Sequence, residues 1–208
     1  DAFEYVGEGN ITSVTPAAGQ AGSLVTIQGE SLFGGGEEAV SVTLAGVTAQ
    51  IIGSATNNTY LVVKANAGPL SLDERVGSVV ITSDTQVDIT KLEAWSYSVI
   101  ETVAPAAGQG GTVVTISGAS LTGDGENVTK VELNGVEASI VSFNDSIVIV
   151  EADVLTNGED QVGTVVMELS NGQTIESIAL SDDSLVKKFT YKVPGEITSV
   201  TPEQGQLN

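Results

Sequence analysis

Apolar and polar residues alternate along most of this chain, and the alternation comes in short pieces. Leu24-Val25-Thr26-Ile27 has the period-2 pattern of a half-buried strand. Similar pieces are predicted over 11–14, 40–44, 48–52, 60–64, 77–82 and 95–99. Turn signals punctuate them: Pro16-Ala17-Ala18-Gly19 after the first piece and Gly34-Gly35-Gly36 before the third. Seven short strands in about 90 residues predict an all-β sandwich of the immunoglobulin-like kind. No segment approaches the roughly 18–20 consecutive apolar residues of a membrane span, so no membrane insertion is expected here. The opening DAFEYVGEGN lacks the basic and apolar regions of a signal peptide, so any export signal is expected elsewhere.

The pattern then repeats. ITSVTPAAGQAGSLVTIQGESL from Ile11 is echoed by IETVAPAAGQGGTVVTISGASL from Ile100. The offset holds without a gap from Pro16/Pro105 through Gly46/Gly135. Asn57-Asn58-Thr59 corresponds to Asn144-Asp145-Ser146, and Val76-Gly77-Ser78 to Val162-Gly163-Thr164. Each unit closes on an aromatic-x-Tyr-x-Val string, at Trp95–Val99 and Phe189–Val193. Two complete units are therefore expected, 11–99 and 100–193. Residues 1–10 resemble the closing strand and junction of an earlier unit, and 194–208 a junction and the opening of a later one. Both ends fall inside a repeat, so a longer array is expected.

The string I-x-x-V-x-P-x-x-G-x-x-G-x-x-V-T-I-x-G, followed by V-x-L-x-G-V-x-A, resembles the IPT/TIG repeat. The likeness runs through both full units and both partial ends. It implies tandem immunoglobulin-like sandwiches, of the kind found in plexin-type receptors, large surface proteins, Rel-type transcription factors and some amylolytic enzymes. The Cys…Trp…Cys pattern of antibody domains is absent, and Trp95 and Phe189 are expected as the large core fillers. The first unit passes into the second with no linker, which predicts a semi-rigid rod and excludes a flexible tether at that junction. The other two junctions are Gly7-Glu8-Gly9-Asn10 and Pro194-Gly195-Glu196.

Charge narrows the partners. The chain has 27 acidic and 7 basic residues, a formal net charge of −20. Phosphate binding needs clustered Lys and Arg, so nucleic acid is not an expected partner, and the DNA-contacting branch of the family does not fit. The second unit is the more acidic: 14 acidic against 4 basic residues, compared with 8 against 3 in the first. Solvated acidic faces that keep the chain soluble are the leading reading of this balance, and diffuse or specific divalent-cation binding is the alternative. With no Cys and no His, disulfides, thiol nucleophiles and the usual general base are all absent.

Candidate sites are few. Four N-x-S/T sequons begin at Asn10, Asn57, Asn127 and Asn144, and they become glycan acceptors if a eukaryote secretes the protein. Asn57 and Asn144 occupy equivalent places, just before the same strand, and are the leading pair. Ser and Thr offer O-linked acceptors without a motif. No cofactor is expected. The oxygen-rich loops Gly123–Asn127 and Asn157–Asp160 are weak candidates for calcium, since neither has EF-hand spacing, and Asp182-Asp183 reads as a solvated turn. No nucleophile elbow, phosphate loop or metal signature appears, so an enzyme is not expected.

Three functions fit this reading. The leading expectation is a structural segment of an extracellular fibre, appendage or surface coat, with neighbouring repeats, further copies or other extracellular proteins as partners. The second is a receptor or adhesin ectodomain that binds a protein or glycan. The third is a spacer beside a catalytic domain.

Overall fold

A computed structural model of the chain describes residues 7–53, 57–69, 74–123, 126–155, 159–177, 187–195, 198–199 and 201. These form two β-sandwiches in tandem, with no helix among the described residues longer than a turn. The first contains β1 (Asn10–Thr15), β2 (Ala18–Gly19), β3 (Leu24–Glu30), β4 (Ala39–Leu44), β5 (Val47–Ile51), β6 (Tyr60–Lys64), β7 (Val76–Ser83) and β8 (Asp88–Tyr97). The second contains β9 (Val99–Ala104), β10 (Ala107–Gly108), β11 (Val113–Ala119), β12 (Val128–Leu133), β13 (Val136–Phe143), β14 (Ile147–Glu151), β15 (Gln161–Leu169), β16 (Thr174–Glu176) and β17 (Lys188–Tyr191).

Strand order in the first sandwich is β1-β3-β6-β5-β4-β7-β8-β2. The second repeats it as β9-β11-β14-β13-β12-β15-β17-β10, with β16 also paired to β15. β5 joins the two sheets, since Val47–Ala49 pair with β4 and Gln50–Ile51 pair with β6. On the opposite side the first strand changes sheets: β1 pairs antiparallel with β3, and β2 pairs parallel with β8. The turn between them holds a cis Thr15–Pro16 bond, matched by cis Ala104–Pro105. Each unit therefore has more strands than the seven that alternation marks, because a two-residue strand such as Ala18–Gly19 is too short to alternate.

The closing strand also differs from its expected span. β8 begins at Asp88, where Asp88–Lys91 pair with Val79–Thr82, and it ends at Tyr97. Val99 belongs to the next strand and pairs with Ala119. Only Ser98 stands between the sandwiches' strands.

Each sandwich has its own core. Val25 and Ile27 of β3, Val42 and Leu44 of β4 and Val79 and Ile81 of β7 point inward at alternate positions. Trp95 is buried at 1% exposure and packs edge-to-face on Tyr97, with ring centroids 5.6 Å apart. Phe189 and Tyr191 reproduce the pair at 5.0 Å in the second core. Ala45-Gly46 and Asn134-Gly135 both have positive φ at their two central residues, the type I′ hairpin turn that matches strand twist.

Gly29 and Gly118, the last residue of each V-T-I-x-G string, lie at bulges in the first strand pair. A Cβ on Gly118 would sit 2.0 Å from the Val99 carbonyl oxygen, and one on Gly29 2.2 Å from that of Asn10. The glycine lets the incoming strand press flat against β3 or β11 as it enters the sandwich.

Candidate functional site: the inter-repeat interface

The densest polar chemistry among the described residues lies where the two sandwiches meet. Ser98 is 2% exposed and engages both units. Its N–H donates to Gly19 O at 2.8 Å, and its carbonyl accepts from Gln20 Nε2 at 3.1 Å. Its hydroxyl donates to Ser120 O of the second repeat at 2.8 Å. The Ser96 and Ser120 hydroxyls share a further bond of 2.8 Å.

Gln20 carries the contact outward. Nε2 also donates to Glu176 O at 3.1 Å, and Oε1 accepts the Glu176 N–H at 2.9 Å. Among the described residues β16 pairs with β15 alone, through Ile175 and its neighbours, so the Glu176 peptide groups face away from that pairing. Gln20 supplies the missing partner, its amide acting as a peptide group would in an added strand. The local fold holds Gln20 in place, as its N–H donates to the Ser23 hydroxyl at 3.1 Å. That hydroxyl in turn accepts from Gln173 Nε2 of the second repeat at 3.1 Å. Beside these bonds lies a cleft of about 430 Å³, walled by Gly22, Ser23 and Leu24 on one side and Gly172, Gln173 and Thr174 on the other.

Arg75, the only arginine, is buried at the same end of the first sandwich. Its carbonyl accepts the Tyr97 N–H at 2.8 Å. Burial lowers its pKa, and the charge of Glu101 in the second repeat opposes that shift.

All four sequon asparagines are exposed. Asn10 lies at the start of β1, and Asn127 sits in a loop, its N–H donating to the Ser170 hydroxyl at 3.1 Å. Asn57 and Asn144 each open a tight turn closed by their own side chain. Asn57 Oδ1 accepts from the N–H and hydroxyl of Thr59, and Asn144 Oδ1 from the N–H groups of Ser146 and Ile147. The middle residue of each sequon is structural too. Asn58 Oδ1 accepts the Phe33 N–H, and Asp145 Oδ1 accepts the Thr122 N–H and hydroxyl. Turn chemistry is therefore a sufficient reason for Asn-Asx-Ser/Thr to occur twice.

Asp124, Gly125, Asn157, Gly158 and Asp182-Asp183 lie outside the described residues. The Glu126 carboxylate accepts the Ser170 hydroxyl. Asp160 is bonded by Lys192 Nζ at 2.6 Å and by the Val193 N–H at 3.0 Å, and its pKa lies below the usual range because of them, the lysine first. Among the described residues no group of three or more acidic side chains could hold a metal ion. The interface glutamine and serines carry no motif of their own in the sequence. The recurrence of PAAGQ was the one available signal, and it marks the turn without showing what the glutamine reaches.

No curated protein matches the chain. Among solved structures, the full extracellular region of plexin A4 (domains 1 to 10) is similar at 24% identity, over 94% of this chain and 16% of that one, with a TM-score of 0.46. The surface glycan-binding protein PbSGBP-B from Prevotella bryantii matches at 12% identity over 82% and 41%, with a TM-score of 0.36. Gamma-CGTase from alkalophilic Bacillus clarkii matches at 16% over 89% and 26%, with a TM-score of 0.34. The chain thus spans less than half of each, and at these identities the likeness concerns the fold alone. The IPT/TIG domain family is matched twice, over residues 10–92 and 98–181, in register with the two sandwiches. The chain belongs to the IPT/TIG domain family, as two tandem copies of it.

Proposed function

We propose that the chain is a structural segment of a large extracellular fibre, appendage or surface coat, in which tandem repeats supply length, stiffness and lateral contact. The observation that carries this reading is the junction. One repeat passes into the next through a single buried residue, and side chains from both sides are used up in holding the two together. A chain that needed only to tether a distant domain would gain nothing from that, since a flexible linker spans the same distance.

Two surface features support lateral contact. Leu24 and Val113 are exposed at 60% and 55%, and Val76 and Val162 both at 59%. These are matched positions in the two repeats, so an array displays the same apolar points at a fixed spacing. The acidic faces and the exposed sequon asparagines fit a solvated, secreted surface, with N-linked sugars at Asn57 and Asn144 first and Asn127 and Asn10 next.

Electron microscopy of the intact native protein, with glycopeptide mass spectrometry on the same sample, tests this reading. Regular filaments of stacked repeats are the expected result. Isolated rods that end in a membrane or in a globular head would overturn it in favour of a receptor, an adhesin or a spacer.

A further inference from the structure

We infer that the two repeats are locked into one rigid pair, and that Ser98, which has Gly9 and Lys192 at its counterpart positions, is specific to this joint.

On entry, Ile11 corresponds to Ile100, so Gly9 holds the place of Ser98. A Cβ on Gly9 would lie 2.6 Å from Ser31 O, and Ser31 is the counterpart of Ser120. The first repeat thus has a glycine in the seat where the second receives a serine hydroxyl. On the edge that meets Gln20, the first repeat has Thr90 in place of Glu176 and Val87 in place of Gln173. Val87 cannot donate as Gln173 does to Ser23.

On exit, Tyr191 corresponds to Tyr97, so Lys192 holds the place of Ser98. Its N–H donates to Gly108 O at 2.7 Å, as that of Ser98 does to Gly19 O. Its side chain turns back to Asp160 of its own repeat. Gln109, the counterpart of Gln20, is exposed and donates to Val193 O at 3.0 Å. Gln161 replaces Arg75. Lys192 and Gln109 bond within the second repeat, whereas Gln20, Ser23, Ser96 and Ser98 of the first bond to its neighbour. Three residues, Pro194-Gly195-Glu196, follow Val193 where none follows Val99.

Each sandwich has its own buried core, and the lock joins groups outside both. It acts on orientation: several short bonds through one buried residue leave the pair few alternative arrangements. It is independent of whether the array serves a fibre, a receptor or an enzyme.

Residual dipolar couplings on the whole 208-residue chain test the inference. One alignment tensor shared by both repeats is expected, and it should split into two in Gln20→Ala/Ser98→Gly while Gln109→Ala leaves it intact. Two distinct tensors in the unaltered chain would overturn the lock, with no variant needed. So would a Gln109→Ala effect as large as that of the double variant. A tensor that survives Gln20→Ala/Ser98→Gly with both repeats folded would show that these bonds are not what holds the pair.

Discussion

Gln20 and Glu176 lie 156 residues apart in the chain and exchange two hydrogen bonds, at 3.1 and 2.9 Å, side-chain amide to main-chain peptide. Through this contact an edge strand of one IPT/TIG sandwich finds its partner on the turn of another. Gln20→Ala strips both Glu176 groups and the Ser98 carbonyl of their partner. Leaving such groups unpaired costs about 1–3 kcal/mol each when they stay out of reach of water. Hydrogen exchange checks it locally. The Glu176 amide should lose protection in Gln20→Ala, while those of β3 and β11 keep theirs.

Gly118→Ala tests how the second sandwich is entered. The new methyl meets the Val99 carbonyl, a backbone atom that cannot rotate away. A loss of about 1–3 kcal/mol is expected from the forced backbone shift. Gly53→Ala is the control, since none of the described residues lies within 4 Å of its Cβ position and the change should stay within about 0.5 kcal/mol. Urea unfolding followed by tryptophan fluorescence and circular dichroism reads both.

Trp95→Ala and Phe189→Ala empty matched places in separate cores. Each should cost about 3–5 kcal/mol, the range for a buried aromatic ring removed without collapse. Calorimetry should show Trp95→Ala lowering the transition of the first repeat most and Phe189→Ala that of the second. A single unchanged transition in either variant contradicts the packing described above.

Alkaline pH should destabilise both repeats through their closing tyrosines. Burial pushes the Tyr97 phenol up to about 12, against an opposing pull from Trp95. Tyr191 is raised as well, by burial first and the charge of Asp153 second. A pKa higher in the folded state gives stability that is fully present below the unfolded value of 10.0. For Tyr97 that stability is lost as pH rises from there through about 12. Tyrosine absorbance at 295 nm should therefore show a late phase that coincides with loss of the β-sheet signal. Tyr97→Phe should retain more of its neutral-pH stability in that window.

The sequence by itself determined the all-β class, the duplication and the places of most strands. Alternation of apolar residues reports which face of a strand is buried, and that is a local property. It also marked Trp95 and Phe189 as core, because an aromatic residue at the same place in two repeats has the same surroundings to fill. What only the tertiary structure decided was the partner of each polar side chain. Gln20 and Gln109 stand in the same PAAGQ string, yet one reaches across the junction and the other folds back to Val193. Asn57 and Asn144 look like glycan acceptors in the string, and the fold adds that both close their own turns. A hydrogen bond depends on two groups being brought within about 3 Å, and for residues 156 positions apart only the packed chain sets that distance.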